Sequence, residues 1–310
     1  GTNTRVSYMD LETKEIFNNS AGSTNHQSTE RVYENFIELL KPIKNSIVKY
    51  ATCFLSGWDF KADQEILKKH FFNAIKYLNI NVIDSFFEND IFAVLQSGLL
   101  DDKKGVCLIS GTGVLGAAID GESLNRTIGF GYESGEWGSG SDIGGQVIFQ
   151  VLSSFQKRDV DCPILTEMVL GYFNVHNCSE LAELINSPNA NFDNFSKLTP
   201  IVFSALDKNC PGALKVLTKA GEELALTVIS QYQFLKDNSA PLILGGGVLS
   251  NNKILPGFKE KIKEVLKKSS NEIRVVTSEP SLGSLLWSGK SINLETKNII
   301  NLISVDRRTL

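Results

Sequence analysis

In Leu242-Ile243-Leu244-Gly245-Gly246-Gly247-Val248 a short apolar run, the pattern of a buried strand, passes directly into three glycines. Three glycines cost backbone entropy that a plain turn does not require, so the segment reads as a place where a ligand such as a phosphate or an adenosine comes close to the main chain. Tight packing against a helix is the plainer use. No Gly-Lys-Ser or Gly-Lys-Thr follows, and the glycines do not have dinucleotide-fingerprint spacing. Mid-chain, Leu108-Ile109-Ser110-Gly111-Thr112-Gly113 repeats the arrangement, with N–H and O–H groups able to meet phosphate oxygens; a tight hairpin explains it equally well. A third glycine segment, Gly1-Thr2-Asn3-Thr4, stands at the start. It looks like the end of a turn, so a short strand ahead of Gly1 is expected. Three such loops between strand and helix patterns predict convergence on one polyphosphate.

Outward from these loops the chain alternates. Arg5 to Asp10 and Glu15 to Asn18 read as a hairpin around the turn Leu11 to Lys14. After the polar loop Ser23-Thr24-Asn25-His26, Ser28-Thr29 can cap a helix carrying Val32, Phe36, Leu39 and Leu40 on one face, with Pro42 at its end. Ala51 to Leu55 and Val82 to Phe87 read as strands, Gln64 to Tyr77 as an amphipathic helix, and Ile91 opens another helix. This series resembles a ribonuclease-H-like unit. The charged turn Asp101 to Lys104 is the expected boundary, giving units 1–100 and 101–295. The segment 296–310 is expected to pack back on the first unit. In the second unit, Val106 to Ile109, Ala117 to Ile119, Arg126 to Phe130, Pro241 to Leu244 and Arg274 to Val276 read as strands. Ser141 to Phe155, most of Pro163 to Leu235, and the stretch from Leu282 read as helices. The predicted fold is α/β, with two such units around a cleft.

The chain has 310 residues, more than one domain usually holds. A net charge of -4 argues against a nucleic-acid surface, whose footprint is basic. No apolar run is long enough to span a bilayer. Five dispersed cysteines, Cys53, Cys107, Cys162, Cys178 and Cys210, have no Cys-x-x-Cys pair. They read as reduced core thiols of a cytoplasmic protein, without zinc or iron–sulfur spacing. His26, His70 and His176 do not suggest a metal cluster.

Asp90 falls between a strand and a helix. A carboxylate there is most often an N-cap; the alternative is a general base at the C-terminal edge of the strand, facing a cleft. Gly129-Phe130-Gly131-Tyr132-Glu133-Ser134-Gly135-Glu136-Trp137-Gly138-Ser139 mixes rings and acids as sugar sites do, and a surface loop with an anchoring Trp is the alternative.

The ordered set Gly-Thr-Asn-Thr-Arg, Ser-Thr-Asn-His, Asn-Asp, Leu-Ile-Ser-Gly-Thr-Gly, Gly-Glu-Trp-Gly-Ser and Gly-Gly-Gly-Val resembles N-acetylglucosamine kinases of the BadF/BadG/BcrA/BcrD ATPases, within the sugar kinase, actin and heat-shock ATPase superfamily. The resemblance implies ATP with Mg2+, an amino-sugar substrate and a homodimer. It implies that Asp90 is the base acting on the sugar 6-hydroxyl, and that Asn25, Asn89, Gly131, Tyr132 and Glu136 line the sugar. Thr2, Asn3, Thr4, Thr112 and Gly113 match phosphate-loop positions; Gly246, Gly247, Ser250 and Ala205 match the adenosine side. The chain departs from the family in two places. Glu136-Trp137 replaces an Asp-Glu pair, and Val114-Leu115 stands where mammalian-type kinases carry a sugar-contacting Ser-Asn. Both bear on which amino sugar is taken, N-acetylglucosamine or N-acetylmuramic acid. A radical-dehydratase activator, which needs cluster-binding cysteines, and a sugar or nucleotide sensor without turnover are the competing readings.

Overall fold

The computed structural model describes residues 3–121, 123–127, 136–187, 192–249, 257–266 and 272–309. The chain opens with an antiparallel hairpin of β1 (Asn3–Met9) and β2 (Ile16–Gly22). Its turn is set by Asp10, whose Oδ1 accepts from the N–H groups of Glu12 (2.8 Å) and Thr13 (2.9 Å). Then follow α1 (Val32–Leu40), β3 (Ile47–Leu55), α2 (Lys61–Tyr77), β4 (Asn81–Asn89) and α3 (Ile91–Leu99). β3 and β4 pair in parallel through α2 as the crossover. One face of each of α1 and α2 closes a core with Phe36, Leu39, Leu67, Phe71, Ala74 and Ile75. α1 starts at Val32 rather than directly after Ser28-Thr29. The Ser28 hydroxyl is engaged with Ser23 Oγ (2.8 Å) and the Asn25 carbonyl (2.9 Å), and Thr29 Oγ1 accepts from Arg31 N–H (3.1 Å).

The second unit is one six-stranded sheet in the order β10-β9-β8-β5-β6-β7. Its strands are β5 (Lys104–Ser110), β6 (Val114–Asp120), β7 (Ser123–Arg126), β8 (Leu242–Gly245), β9 (Glu272–Val276) and β10 (Val305–Thr309). β5, β8 and β9 are mutually parallel; β6, β7 and β10 complete the sheet antiparallel to their neighbours. Between β7 and β8 run α4 (Gly140–Phe155), α5 (Pro163–Phe173), α6 (Cys178–Ile185), α7 (Thr199–Asp207) and the 25-residue α8 (Pro211–Leu235). These helices and the sheet share the largest apolar core, through Val147, Val151, Leu165, Leu198, Leu217, Leu224 and Val228. After α9 (Phe258–Leu266) and β9 come α10 (Ser281–Ser291) and α11 (Lys297–Ile300).

Two helices join the units. α3 lies on β5, β6, β8 and β9, with Ile91, Phe92, Leu95 and Leu99 packed against Cys107, Ala117 and Ile243. α10 crosses α3 and reaches back to β1 and β3, where Ser281 Oγ accepts from Ser7 Oγ (2.8 Å) and Ser288 Oγ lies 2.7 Å from Thr52 Oγ1. The last strand, β10, stays at the edge of the second unit's sheet; α10 makes the return to the first unit. β1 and β3 are not paired with each other. Between them lies a cavity of about 1110 Å³, roofed by Phe36, Leu39 and Phe71 on one side and by Ser284 and Leu285 on the other.

Candidate functional site

The functional candidates gather at the C-terminal ends of β3, β4, β5 and β8, where open α/β sheets bind ligands. β4 delivers Asn89 and Asp90. Asn89 is 1% exposed, and its Oδ1 accepts from Ile91 N–H (3.1 Å), satisfying a free donor of α3. Asp90 stands at the N-cap of α3, yet its side chain makes no capping bond. The capping work belongs to its neighbour, which leaves the Asp90 carboxylate for another use. Burial raises the Asp90 carboxyl pKa above its ordinary value; among the described residues Asp59 pushes it the same way and Arg126 opposes.

Beside Asp90 is a polar cluster that sequence reading did not single out. Leu55 ends β3, and Gly57-Trp58-Asp59 turns into α2. Asp59 Oδ1 accepts from Asn89 Nδ2 (3.3 Å) and from Arg126 Nη1 (3.1 Å). Arg126 also donates through Nε to Glu88 Oε1 (3.3 Å) and through Nη2 to the Trp58 carbonyl (2.6 Å). Burial raises the Asp59 pKa, and the Arg126 guanidinium pulls it back. The available signal was a Gly-Trp-Asp triplet directly after a buried strand.

Asn25 sits on the same turn. Gly57 has φ +77°, and a Cβ there would lie 2.6 Å from Asn25 Oδ1, so the glycine is what lets the two loops touch. Asn25 Oδ1 accepts from Gln27 N–H (3.0 Å), and His26 Nε2 meets Asp63 Oδ1 of α2 at 3.0 Å. Thr4 Oγ1 accepts from Thr24 N–H (3.0 Å) and so ties β1 to this loop; Asn3 begins β1, exposed.

Across the cleft two glycine loops dock on one another. Val248 N–H donates to the Ser110 carbonyl (3.0 Å), and Gly246, at φ +87°, holds its backbone so close to that carbonyl that a side chain would collide with it. Gly140 N–H donates to the Gly111 carbonyl (2.7 Å), and Ser141 N–H to that of Thr112 (3.2 Å), which seats the Gly111–Gly113 turn on the start of α4. That start is closed reciprocally: Ser139 Oγ accepts from Asp142 N–H (3.1 Å), and Asp142 Oδ2 from Gly138 N–H (2.8 Å). Glu136 lies against Gly113. Beside both Gly111 and Gly247 a Cβ would meet nothing within 4 Å. The two loops are therefore fixed to each other: Gly245 and Gly246 pack closely on Val94 and Ser110, while Gly111 and Gly247 are open on one side.

Three candidates pack in or against the core. Val114 is 8% exposed in the second unit's core, Leu115 packs on the opposite face of β6 against the core under α3, and Ala205 is fully buried within α7. Thr2, Gly131, Tyr132 and Ser250 lie outside the described residues. The large cavity between β1 and β3 is not the cleft; of the candidates only Thr4 lines it. The cysteines are dispersed, four buried and Cys53 half-buried. Among the described residues no three or more His, Cys, Asp and Glu side chains gather as a metal cluster would, and no helix is long and apolar enough to cross a membrane.

The family model of the BadF/BadG/BcrA/BcrD ATPases matches residues 1–288. The chain belongs to that family. It is similar to an N-acetylmuramic acid/N-acetylglucosamine kinase of Clostridium acetobutylicum, 26% identical over 260 residues, covering 81% of this chain and 82% of that one. It is also similar to an N-acetyl-D-glucosamine kinase of Dictyostelium discoideum, 24% identical over 307 residues, covering 92% and 94%. Among solved structures, a candidate N-acetylglucosamine kinase from Chromobacterium violaceum superposes with a TM-score of 0.67 at 20% identity over 92% of this chain and 95% of that one. A ROK hexokinase from Thermus thermophilus gives 0.52 at 14% identity over 94% and 99%. The fold of this BadF/BadG-type chain is thus α/β, of the actin-like ATPase and sugar-kinase kind.

Proposed function

We propose that the protein is an ATP-dependent amino-sugar kinase that moves the γ-phosphoryl group to the 6-hydroxyl of an N-acetylated hexosamine, N-acetylglucosamine first and N-acetylmuramic acid second. The observation that carries the reading is the Asp90 carboxylate, held at the head of α3 while Asn89 does the capping. The kinase names of both curated relatives support the substrate class.

In this reading Asp90 accepts the proton of the 6-hydroxyl as that oxygen bonds to the γ-phosphorus. The bond from that phosphorus to the bridging oxygen breaks, and ADP leaves with it. The turns Gly111–Gly113 and Gly246–Gly247 leave room for the nucleotide beside Gly111 and Gly247. Mg2+ accompanies ATP and neutralises phosphate charge. Asn25 and Glu136, from opposite walls, orient the sugar. A carboxyl of raised pKa is the better proton acceptor once ionised, which suits a base working near neutral pH.

The test is ADP release from ATP and magnesium with N-acetylglucosamine, N-acetylmuramic acid, glucosamine, N-acetylmannosamine and glucose, each product being located by phosphorus NMR. Turnover confined to N-acetylated sugars, with phosphate on C6, is the expected result. Nucleotide binding with no turnover on any of them removes the kinase reading and leaves the sensor.

A further inference from the structure

Arg126 ends β7, the edge strand of the second unit, and its guanidinium is spent almost wholly on the first unit. It donates to the Trp58 carbonyl (2.6 Å), Asp59 Oδ1 (3.1 Å) and Glu88 Oε1 (3.3 Å). The strand beneath it is anchored to its own unit, with Asn125 Nδ2 donating to Gln231 Oε1 of α8 (2.8 Å) and Thr127 Oγ1 accepting from Gly116 N–H (2.9 Å). The side chains of Arg126, Asp59 and Glu88 are only 13%, 16% and 26% exposed, so these charges interact with little screening.

The two carboxylate oxygens that Arg126 grips are the two that hold Asn89. Asn89 Nδ2 donates to Asp59 Oδ1 (3.3 Å), and Asn89 N–H to Glu88 Oε1 (2.8 Å). Asn89 in turn caps α3 immediately after Asp90. A continuous path of hydrogen bonds therefore runs from the second unit, through Asp59 and Glu88, to the residue beside Asp90.

We propose that Arg126 is a positioning residue that latches the two units across the cleft and, through Asp59, Glu88 and Asn89, fixes the place and the ionisation of Asp90. The proposal rests on the kinase reading for its kinetic consequence only; the latch itself stands on the contacts. The charged groups that bear on Asp90 among the described residues are Asp59, which favours its protonated form, and Arg126, which favours its ionised form. Without Arg126, two carboxylates of low exposure lose their counterion next to a third. Asp90 then keeps its proton to higher pH, and the base is lost at the acid end of the range.

Four variants in the full chain test this: Arg126→Met, Arg126→Lys, Asp59→Asn, and the triple Asp59→Asn/Glu88→Gln/Arg126→Met, which removes the stranded charges if Arg126→Met alone folds poorly. For Arg126→Met, kcat with the amino sugar is expected to fall about 100-fold, the size of effect that misplacing a reacting group by about 1 Å produces. The acid limb of its kcat–pH profile moves to higher pH, and KM for ATP stays within about threefold. Arg126→Lys, which keeps the charge but not the fork, leaves the limb in place and recovers part of kcat. Asp59→Asn moves the limb to lower pH, and the triple variant brings it back from the Arg126→Met position.

The same shifts are read without any substrate by a carbon-13 NMR titration of the Asp90 carboxyl, assigned by its absence in Asp90→Asn. If wild type phosphorylates no sugar but the Asp90 titration moves with Arg126, the kinase reading fails and the latch survives. If the Asp90 titration and the acid limb are the same in wild type, Arg126→Met and the triple variant, the latch is overturned, whatever happens to melting temperature.

Discussion

Replacing Asp90 by Asn should separate catalysis from folding at a single atom. The exchange is isosteric. The Asp90 side chain makes no capping bond to α3, and Asn89 Oδ1 keeps its 3.1 Å bond from Ile91 N–H, so the helix loses nothing. The sign of the stability change follows from the raised pKa. A carboxyl whose folded-state pKa lies above its unfolded value favours the fold at low pH. It takes that contribution away as pH rises from the unfolded value, near 3.8, through the folded one. At neutral pH the Asp90 carboxyl is therefore a net cost, and Asp90→Asn should melt at the same temperature as wild type or above it. At pH 4 the gain should shrink. Turnover should move the other way. A positioned general base contributes about 10²–10⁴-fold, which is about 2.7–5.4 kcal/mol of barrier at 1.36 kcal/mol per decade. KM for ATP should hold, because the glycine loops that would meet the nucleotide stand on the other wall. Coupled ADP release, calorimetric melting at pH 7 and pH 4, and nucleotide binding by titration calorimetry read all three quantities. Turnover within threefold of wild type would refute the base. Melting several degrees lower at pH 7 would refute the account of its burial.

Gly57→Ala, at φ +77° and facing Asn25, should raise KM for the sugar about tenfold while leaving KM for ATP unchanged, since the methyl displaces the Asn25 loop alone; steady-state kinetics with each substrate varied decides it. Gly246→Ala, at φ +87° against the Ser110 carbonyl, should push the two glycine loops apart, weakening ATP binding at least tenfold and costing about 1–3 kcal/mol of stability; unchanged nucleotide affinity would show that these loops do not meet ATP.

Much of the fold was legible because its buried strands are apolar runs and two of the turns that follow them are rich in glycine. β5 into Gly111–Gly113 and β8 into Gly245–Gly247 stand where the pattern puts them, and both turns open onto space. The start of α1 was misplaced because Ser28 and Thr29 look like caps and are engaged within their own loop. Val114, Leu115 and Ala205 pack in or against the core, which no motif shows. A strand or helix residue next to a functional loop is as readily turned into the core, and only packing decides which way it faces. The Arg126 cluster was illegible for another reason. Its charged partners lie 67 and 38 residues away, each a single acid beside aromatic residues, and nothing periodic links them.

The second unit explains the odd shape of the first. β7-β6-β5-β8-β9 is a run of strands in which the middle one, β5, is antiparallel to β6 and parallel to β8. In the first unit β2-β1 and β3-β4 reproduce the two flanks, with the same antiparallel hairpin and the same parallel pair, and the cavity lies between them. The start of β1 then corresponds to the start of β6, directly after Gly111–Gly113. On this correspondence Asn3 and Thr4 stand where Val114 and Leu115, directly after the second glycine segment, stand in the other unit. The catalytic candidates do not repeat in this way: Asp90 sits at the end of β4, whereas its counterpart in the second unit, the end of β9, leads through Thr277 to Pro280 into α10. The proposed base therefore stands where the two units diverge, while the strands around it follow the shared plan. That division suits phosphoryl transfer, in which several groups must neutralise and position while a single group need accept a proton.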